Sequence, residues 1–311
     1  MSKILQSILK DTKIVTNVTT TPAAFHIGTH DGSFHCDEVL AISMLKCLPQ
    51  YKDAIVVRTR NLDILSQCNI VVDVGAKYEP ENHKYDHHQR EFQGTLDNFK
   101  TRLSSAGLVY KHFGNEILSE IVNQSVPKTN PDHIRLVSIL YEKIYKGFVE
   151  HIDGIDNGIE AATGESNYNV TTTLSSRVGH LLPAWNEPNS SDITNSRFVD
   201  ALCMVGTEFY NTVDKLVNVW WPARSLVEGA VEARKDIHPS QRIMVMPCSC
   251  PWKDHIFDIE KDVCIVSCMY SCMYIIMSRS PLYLSLNYPL IYILIYIYIY
   301  LLIFNYLIYC I

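Results

Sequence analysis

The sequence predicts an α/β protein: a doubly wound, mostly parallel sheet domain followed by a smaller, truncated α/β domain. Three observations predict it. The apolar and β-branched runs at 24–29 (AFHIGT), 54–58 (AIVVR) and 70–74 (IVVDV) are continuous rather than alternating, as strands buried on both faces are. Helical patterns separate these runs, and strand–helix–strand order gives a parallel sheet. His30 and Asp73 fall at or just beyond the ends of two of the runs, where open α/β sheets collect their chemistry.

Each element follows in order. Residues 1–23 carry Lys3, Lys10 and Lys13 against Asp11 among many Ser and Thr, and read as a disordered or targeting extension. After the first strand, Val39, Leu40, Ile42, Met44, Leu45 and Leu48 form a helical face that Pro49 stops. Ser104 caps a helix over 104–118. A long helix over 132–152 repeats apolar residues from Ile134 to Ile152 at three- and four-residue steps, and Asn157-Gly158 turns the chain after it. This bounds a metal-binding catalytic domain at 24–158. Residues 159–196, rich in Thr, Ser, Asn, Gly and Pro, read as a linker or active-site connection. Helices over 198–218 and 222–234 and a strand over 242–246 form a partial substrate domain, 197–262.

The chain has 311 residues, 47% apolar and 19% charged, with net charge −6. That excludes a disulfide-stapled mini-protein and a highly charged disordered chain. An acidic balance argues against duplex DNA binding, which needs a broad basic surface. The cysteines before residue 262 form no CxxC pair and read as reduced thiols. Residues 263–311 form an aberrant hydrophobic tail whose one charge is Arg279. Its YILIYIYIY stretch is what a TATATA repeat encodes, so the expectation is a reading frame run into non-coding sequence. The rival is a membrane anchor at 289–311, long enough to span a bilayer.

Three His/Asp clusters carry the chemistry: His30-Asp31-Gly-Ser-Phe-His35-Cys-Asp37-Glu38, Asp73 in VVDVG, and Tyr85-Asp86-His87-His88. His151-Ile-Asp153-Gly-Ile-Asp156 is a fourth. Each alone reads as a turn, cap or core residue. Together, at successive strand ends, they converge, and buried carboxylates in that number need a cation. A mixed His/Asp set suits two divalent ions, Mn²⁺ ahead of Mg²⁺, for metal-assisted cleavage of a phosphoester or phosphoanhydride. No Walker loop, GxGxxG or HExxH is present.

The Asp-His-His triplet resembles the DHH phosphoesterase superfamily. GTHDGSFHCDEVLA, VVDVG, YDHHQREF, LSSAGLVYKHFG and IDGIDNGI are together similar to the melanocyte-proliferating-gene family of metal-dependent exonucleases, with SRVGHLLPAWN and CPWKDHIFDIE extending the likeness over about 24–260. The resemblance implies a DHH-like fold and a 3′–5′ exonuclease on single-stranded RNA, acting in RNA processing in nucleus and mitochondrion. It implies one metal on His30, His35 and Asp73, and a second on Asp37, the bridging Asp73, His87 and Asp153, with Asp156 the alternative to Asp153. His35 stands where superfamily members often carry Asp. His88 would face the scissile phosphate, Asp86 would orient a ligating imidazole, and Arg177 is a candidate phosphate clamp. A membrane partner follows only if the tail is genuine.

Overall fold

The computed structural model describes residues 2–19, 24–164, 167–188, 190–237, 239, 241, 243–260, 264–270 and 273–279. The chain opens with α1 (Ser2–Lys10) and β1 (Ile14–Val15), so the stretch expected to be a disordered extension is built into the fold: Leu5 and Leu9 bury in the main core and β1 joins the sheet. It then alternates β2 (His26–Thr29), α2 (Cys36–Leu45), β3 (Ile55–Arg58), α3 (Leu62–Leu65) and β4 (Ile70–Val72). A short hairpin follows, β5 (Tyr78–Glu79) and β6 (Lys84–Tyr85). Next come α4 (Ser105–Val122), α5 (Asp132–Ile144), α6 (Glu150–Asp156), α7 (Leu174–Gly179) and α8 (Ser191–Lys215).

The six strands form one sheet in the order β1-β3-β2-β4-β6-β5. All pairings are parallel except β5 with β6. β2 has β3 on one side and β4 on the other: the chain runs from β2 to β3 and then crosses back past β2 to β4. That makes the β2/β4 edge a topological switch point, with a crevice beyond the strand C-termini. The sheet is the mixed, mostly parallel α/β architecture that the buried runs predict.

α2 is buried along its whole length and packs against α4 and α8. Val39, Leu40, Ile42, Met44 and Leu45 reach the same core as Ile27, Val56, Ile70 and Val72 of the strands. Burial of each such side chain stabilises the fold by roughly 1.5–3 kcal/mol. The long helix predicted over 132–152 is α5 and α6 joined by a π-helical turn, Tyr145–Val149. Ile134, predicted on its apolar face, is exposed. Gly158 takes a φ of 66°, the left-handed turn expected after the helix.

Compactness divides the chain after Trp221 rather than within 159–196. The reason is α8: Phe198, Ala201, Leu202, Val205 and Phe209 bury into the first core, so this helix belongs with the sheet. The second unit begins at Pro222 and holds α9 (Ala223–Ile237), β7 (Ile243–Met246), α10 (Lys253–Ile259), β8 (Cys264–Tyr270) and β9 (Met273–Arg279). Its strands are antiparallel in the order β7-β9-β8. Val227, Ala230, Met244, Met246, Trp252 and Ile256 form a small separate core. The stretch predicted as an aberrant tail thus starts with a hairpin that pairs with β7. The Tyr/Ile repeat and the expected membrane span lie outside the described residues. Among the described residues, no helix is long and apolar enough to cross a membrane.

Candidate metal centre

The site is built where β2, β4 and β6 end. Asp73 follows β4 with a φ of 57°, and Gly75 and Ala76 are also left-handed. This conformation costs most residues energy but is tolerated by Asp. Asp73 Oδ1 accepts from the Ser105 hydroxyl at 2.9 Å. From β2, His30 places Nε2 3.0 Å from Glu38 Oε1 and 3.3 Å from Asp73 Oδ2, while Nδ1 lies 3.0 Å from the Asp31 carbonyl. Glu38 also accepts from the His35 backbone N–H at 2.8 Å, which fixes the start of α2. The turn between His30 and His35 is held by the buried Arg58, which donates to the His30 carbonyl at 3.2 Å and to that of Gly32 at 2.7 Å.

The pairing of β6 with β4 brings in the Asp-His-His triplet. His87 Nε2 lies 3.1 Å from Asp156 Oδ2, 3.6 Å from Asp73 Oδ1 and 3.9 Å from Asp37 Oδ2. Arg102 donates to the His87 carbonyl at 2.7 Å. His88 Nδ1 is 2.7 Å from Asp86 Oδ1 and 3.6 Å from Asp73 Oδ1, and its ring is more than half exposed. The hydrogen bond with Asp86 is the main reason the His88 pKa is raised.

Three groups of side chains could each hold a cation: His30, His35, Glu38 and Asp73; Asp73, His87 and His88; and Asp37, His87 and Asp156. The structure therefore brings together His30, His35, Asp37, Asp73 and His87 as the sequence predicts. It differs at three residues. Asp153 faces away from the cluster. Its Oδ1 accepts from the Ser104 N–H and hydroxyl and from the Gly107 N–H, at 3.0, 2.6 and 3.0 Å. Its Oδ2 accepts from the Tyr145 hydroxyl at 2.8 Å. It is the remote cap of α4, and Asp156, one helical turn on, is the carboxylate in the cluster. Asp86 orients His88 rather than His87: it accepts from the His88 and Ala76 backbone N–H groups at 3.0 and 2.6 Å. Arg177 forms a two-pronged ion pair with Glu208, which occupies the fork a phosphate would need.

Sequence reasoning placed Glu38 in the first cluster without giving it a role, and missed Ser105, Arg58 and Arg102 as supports of the site. Glu38 sits three residues after His35, the capping-box spacing that could have flagged it. Nothing local marks the other three, because their partners lie 15 to 32 residues away.

The residues fit a divalent cation on an observation of their own. Both carboxylate oxygens of Asp37 and both ring nitrogens of His87 are buried and make no hydrogen bond. Buried polar atoms without partners are costly, and these converge. Burial, then the charges of Asp73, Asp156 and Glu38, push the Asp37 carboxyl well up. Burial works to lower the His30 pKa, but hydrogen bonds with Asp73 and Glu38 raise it to about 10.

Fold and site together define an α/β protein with a buried His/Asp/Glu centre at its sheet switch point, suited to divalent metal. The MYG1 exonuclease family model, described as an uncharacterised protein family (UPF0160), matches residues 26–283, and the chain belongs to that family. The chain is 45% identical over 242 residues to proteins named MYG1 exonuclease from Bos taurus and Homo sapiens. Those alignments cover 75% of this chain and 61% and 62% of the relatives, so the chain spans about three-fifths of their length. A MYG1 protein of Caenorhabditis elegans is 45% identical over 240 residues, 75% of this chain and 68% of its own. The family match runs past 262, into the stretch expected to depart from the family. No solved structure matches the chain.

Proposed function

We propose that the chain is a metal-dependent phosphodiester hydrolase of DHH-like type, acting as a 3′–5′ exonuclease on single-stranded RNA. The observation that carries this reading is the convergence of buried Asp37 and His87, whose side-chain polar atoms make no hydrogen bond, with Asp73 and Asp156. The relatives' printed name, MYG1 exonuclease, supports the reaction class. RNA as substrate, the polarity, a role in RNA processing and a nuclear and mitochondrial location rest on the family resemblance.

His30, His35, Glu38 and Asp73 would hold one ion, and Asp37, His87 and Asp156 the other, with Asp73 between them; Mn²⁺ suits the imidazole share better than Mg²⁺. Such ions supply Lewis acidity and lower the pKa of water. The protein's own contribution is placement. Ser105 fixes one Asp73 oxygen, the Asp31 carbonyl orients His30 through Nδ1, and Arg58 holds the turn that carries His30 and His35. His88, exposed and held by Asp86 in a proton-retaining state, is positioned to give a proton to a leaving oxygen or to offset phosphate charge.

The test is turnover of an oligoribonucleotide labelled at either end, with pyrophosphate in parallel, in Mn²⁺ and in chelator. Mononucleotide release from the 3′ end, abolished by chelator, is expected. Cleavage of pyrophosphate alone would move the chain to small-phosphate chemistry, and metal-independent RNA cleavage would overturn the reading.

A further inference from the structure

Lys46 closes α2 at the end opposite His35 and Asp37, ~15 Å away along the helix. Its side chain is 2% exposed, and Nζ donates to the carbonyls of Ala54 at 2.6 Å and Lys52 at 3.4 Å. Both partners are neutral. Among the described residues no carboxylate forms an ion pair with it. A buried ammonium without a counter-ion is costly. Burial lowers its pKa to about 8, against the charge of Asp53, which works to raise it. Two hydrogen bonds leave the third N–H of the ammonium for another acceptor.

Lys46 stands in the wall of two cavities. One, of about 320 Å³, lies between α1, α4 and α8, where Ile4, Leu5, Ile8, Ile121 and Tyr210 line it. Leu5 also reaches the main core, but Ile4 is 57% exposed and Ile8 half-buried. α1 thus turns an apolar pair, one helical turn apart, onto the cavity. Glu120, the one carboxylate among the described residues of this wall, is paired with Lys128. The other cavity, of about 430 Å³, is more polar and sets Lys13 and Lys52 against Asp11 and Asp53. Those four charges balance, which leaves Lys46 as the excess cation. One positive charge matches a monoanion. A phosphate dianion would need more donors than a single amine beside apolar walls supplies.

We propose that the chain binds a medium-chain fatty carboxylate here, with the head on Lys46 and the alkyl tail along Ile4 and Ile8. Such a ligand supplies the missing counter-ion and covers the apolar surface that α1 leaves open. The site is separate from the metal centre and does not depend on the proposed hydrolase activity.

The experiment is calorimetric titration of the full chain with octanoate, acetate and 1-octanol, for the wild type, Ile4→Glu and Lys46→Met. Circular dichroism is read on each sample. The wild type is expected to bind octanoate saturably, at least about tenfold more tightly than acetate or octanol. Ile4→Glu, at an exposed position, should keep the fold and weaken octanoate at least about tenfold, because it sets a charge against the alkyl chain. Lys46→Met should erase the preference for octanoate over octanol. No saturable octanoate binding by the wild type, equal affinity for octanoate and octanol, or an affinity unchanged in Ile4→Glu overturns the inference, as does a preference that survives Lys46→Met. If Lys46→Met fails to fold, the comparison of octanoate with octanol in the wild type reads the same dependence on charge.

Discussion

Asp153 and Asp156 stand one turn apart on α6 and serve different ends. Four donors converge on Asp153, so it organises the start of α4. Asp156 meets His87 beside the buried Asp37. Replacing Asp153 with Ala leaves those donors unsatisfied and should lower stability by roughly 3 kcal/mol in urea unfolding. Asp156→Ala should leave metal-free stability nearly unchanged and weaken Mn²⁺ binding at least about tenfold by calorimetry. The opposite assignment of effects would return the ligand role to Asp153. His88→Ala should keep full metal content and slow turnover by about 10²–10⁴. At this scale the sequence was informative about His30, His35, Asp37, Asp73 and His87, since their residue types and strand-end positions speak directly. It left Asp153 and Asp156 open because both fit the DGID spacing. In the structure Tyr145, Ser104 and Gly107 hold Asp153, and Asp156 is the carboxylate that meets His87.

Among the elements, α4 ties the centre together. Its first turn binds Asp153 through Ser104 and Gly107 and Asp73 through Ser105. Ser104 stands at the predicted N-cap position, yet its hydroxyl goes to Asp153, and the cap comes from another helix. Gly107 permits this: a Cβ there would lie 2.3 Å from Asp153 Oδ2. Gly107→Ala gains about 1 kcal/mol of helix propensity, but the clash should outweigh it. A net loss of stability in chemical unfolding is expected, and a stabilised variant would contradict the close approach. The strands were legible because continuous β-branched runs have few alternatives. α7 was not: at six residues it is too short to show a period, and its Thr/Ser-rich setting reads as loop. The domain boundary was displaced for a related reason. Polar residues before α8 look like a linker, while the buried face of that helix becomes evident only against α1 and α2.

For the whole molecule, the sheet places acids from distant segments at one switch point, and their charge sets a pH dependence. His30 in the metal-free protein has a pKa raised to about 10 from an ordinary 6.5. Its contribution to stability is therefore complete below about 6.5 and is lost as pH rises through about 10. Asp37, also raised, acts in the same sense: above the ordinary carboxylate range its contribution falls with rising pH. Metal ligands must shed these protons, so Mn²⁺ affinity and the thermal shift it produces should grow from pH 6 to pH 8. A shift independent of pH would mean that the protons sit elsewhere.

The central claim is that side chains from β2, α2, β4, β6 and α6 form a two-ion centre. Calorimetric titration of Mn²⁺ into the metal-free chain, with Asp73→Asn alongside, tests it most directly. Two ions per chain in the wild type and none held tightly in the variant is the predicted result; no Mn²⁺ uptake, or uptake unchanged by Asp73→Asn, would contradict it.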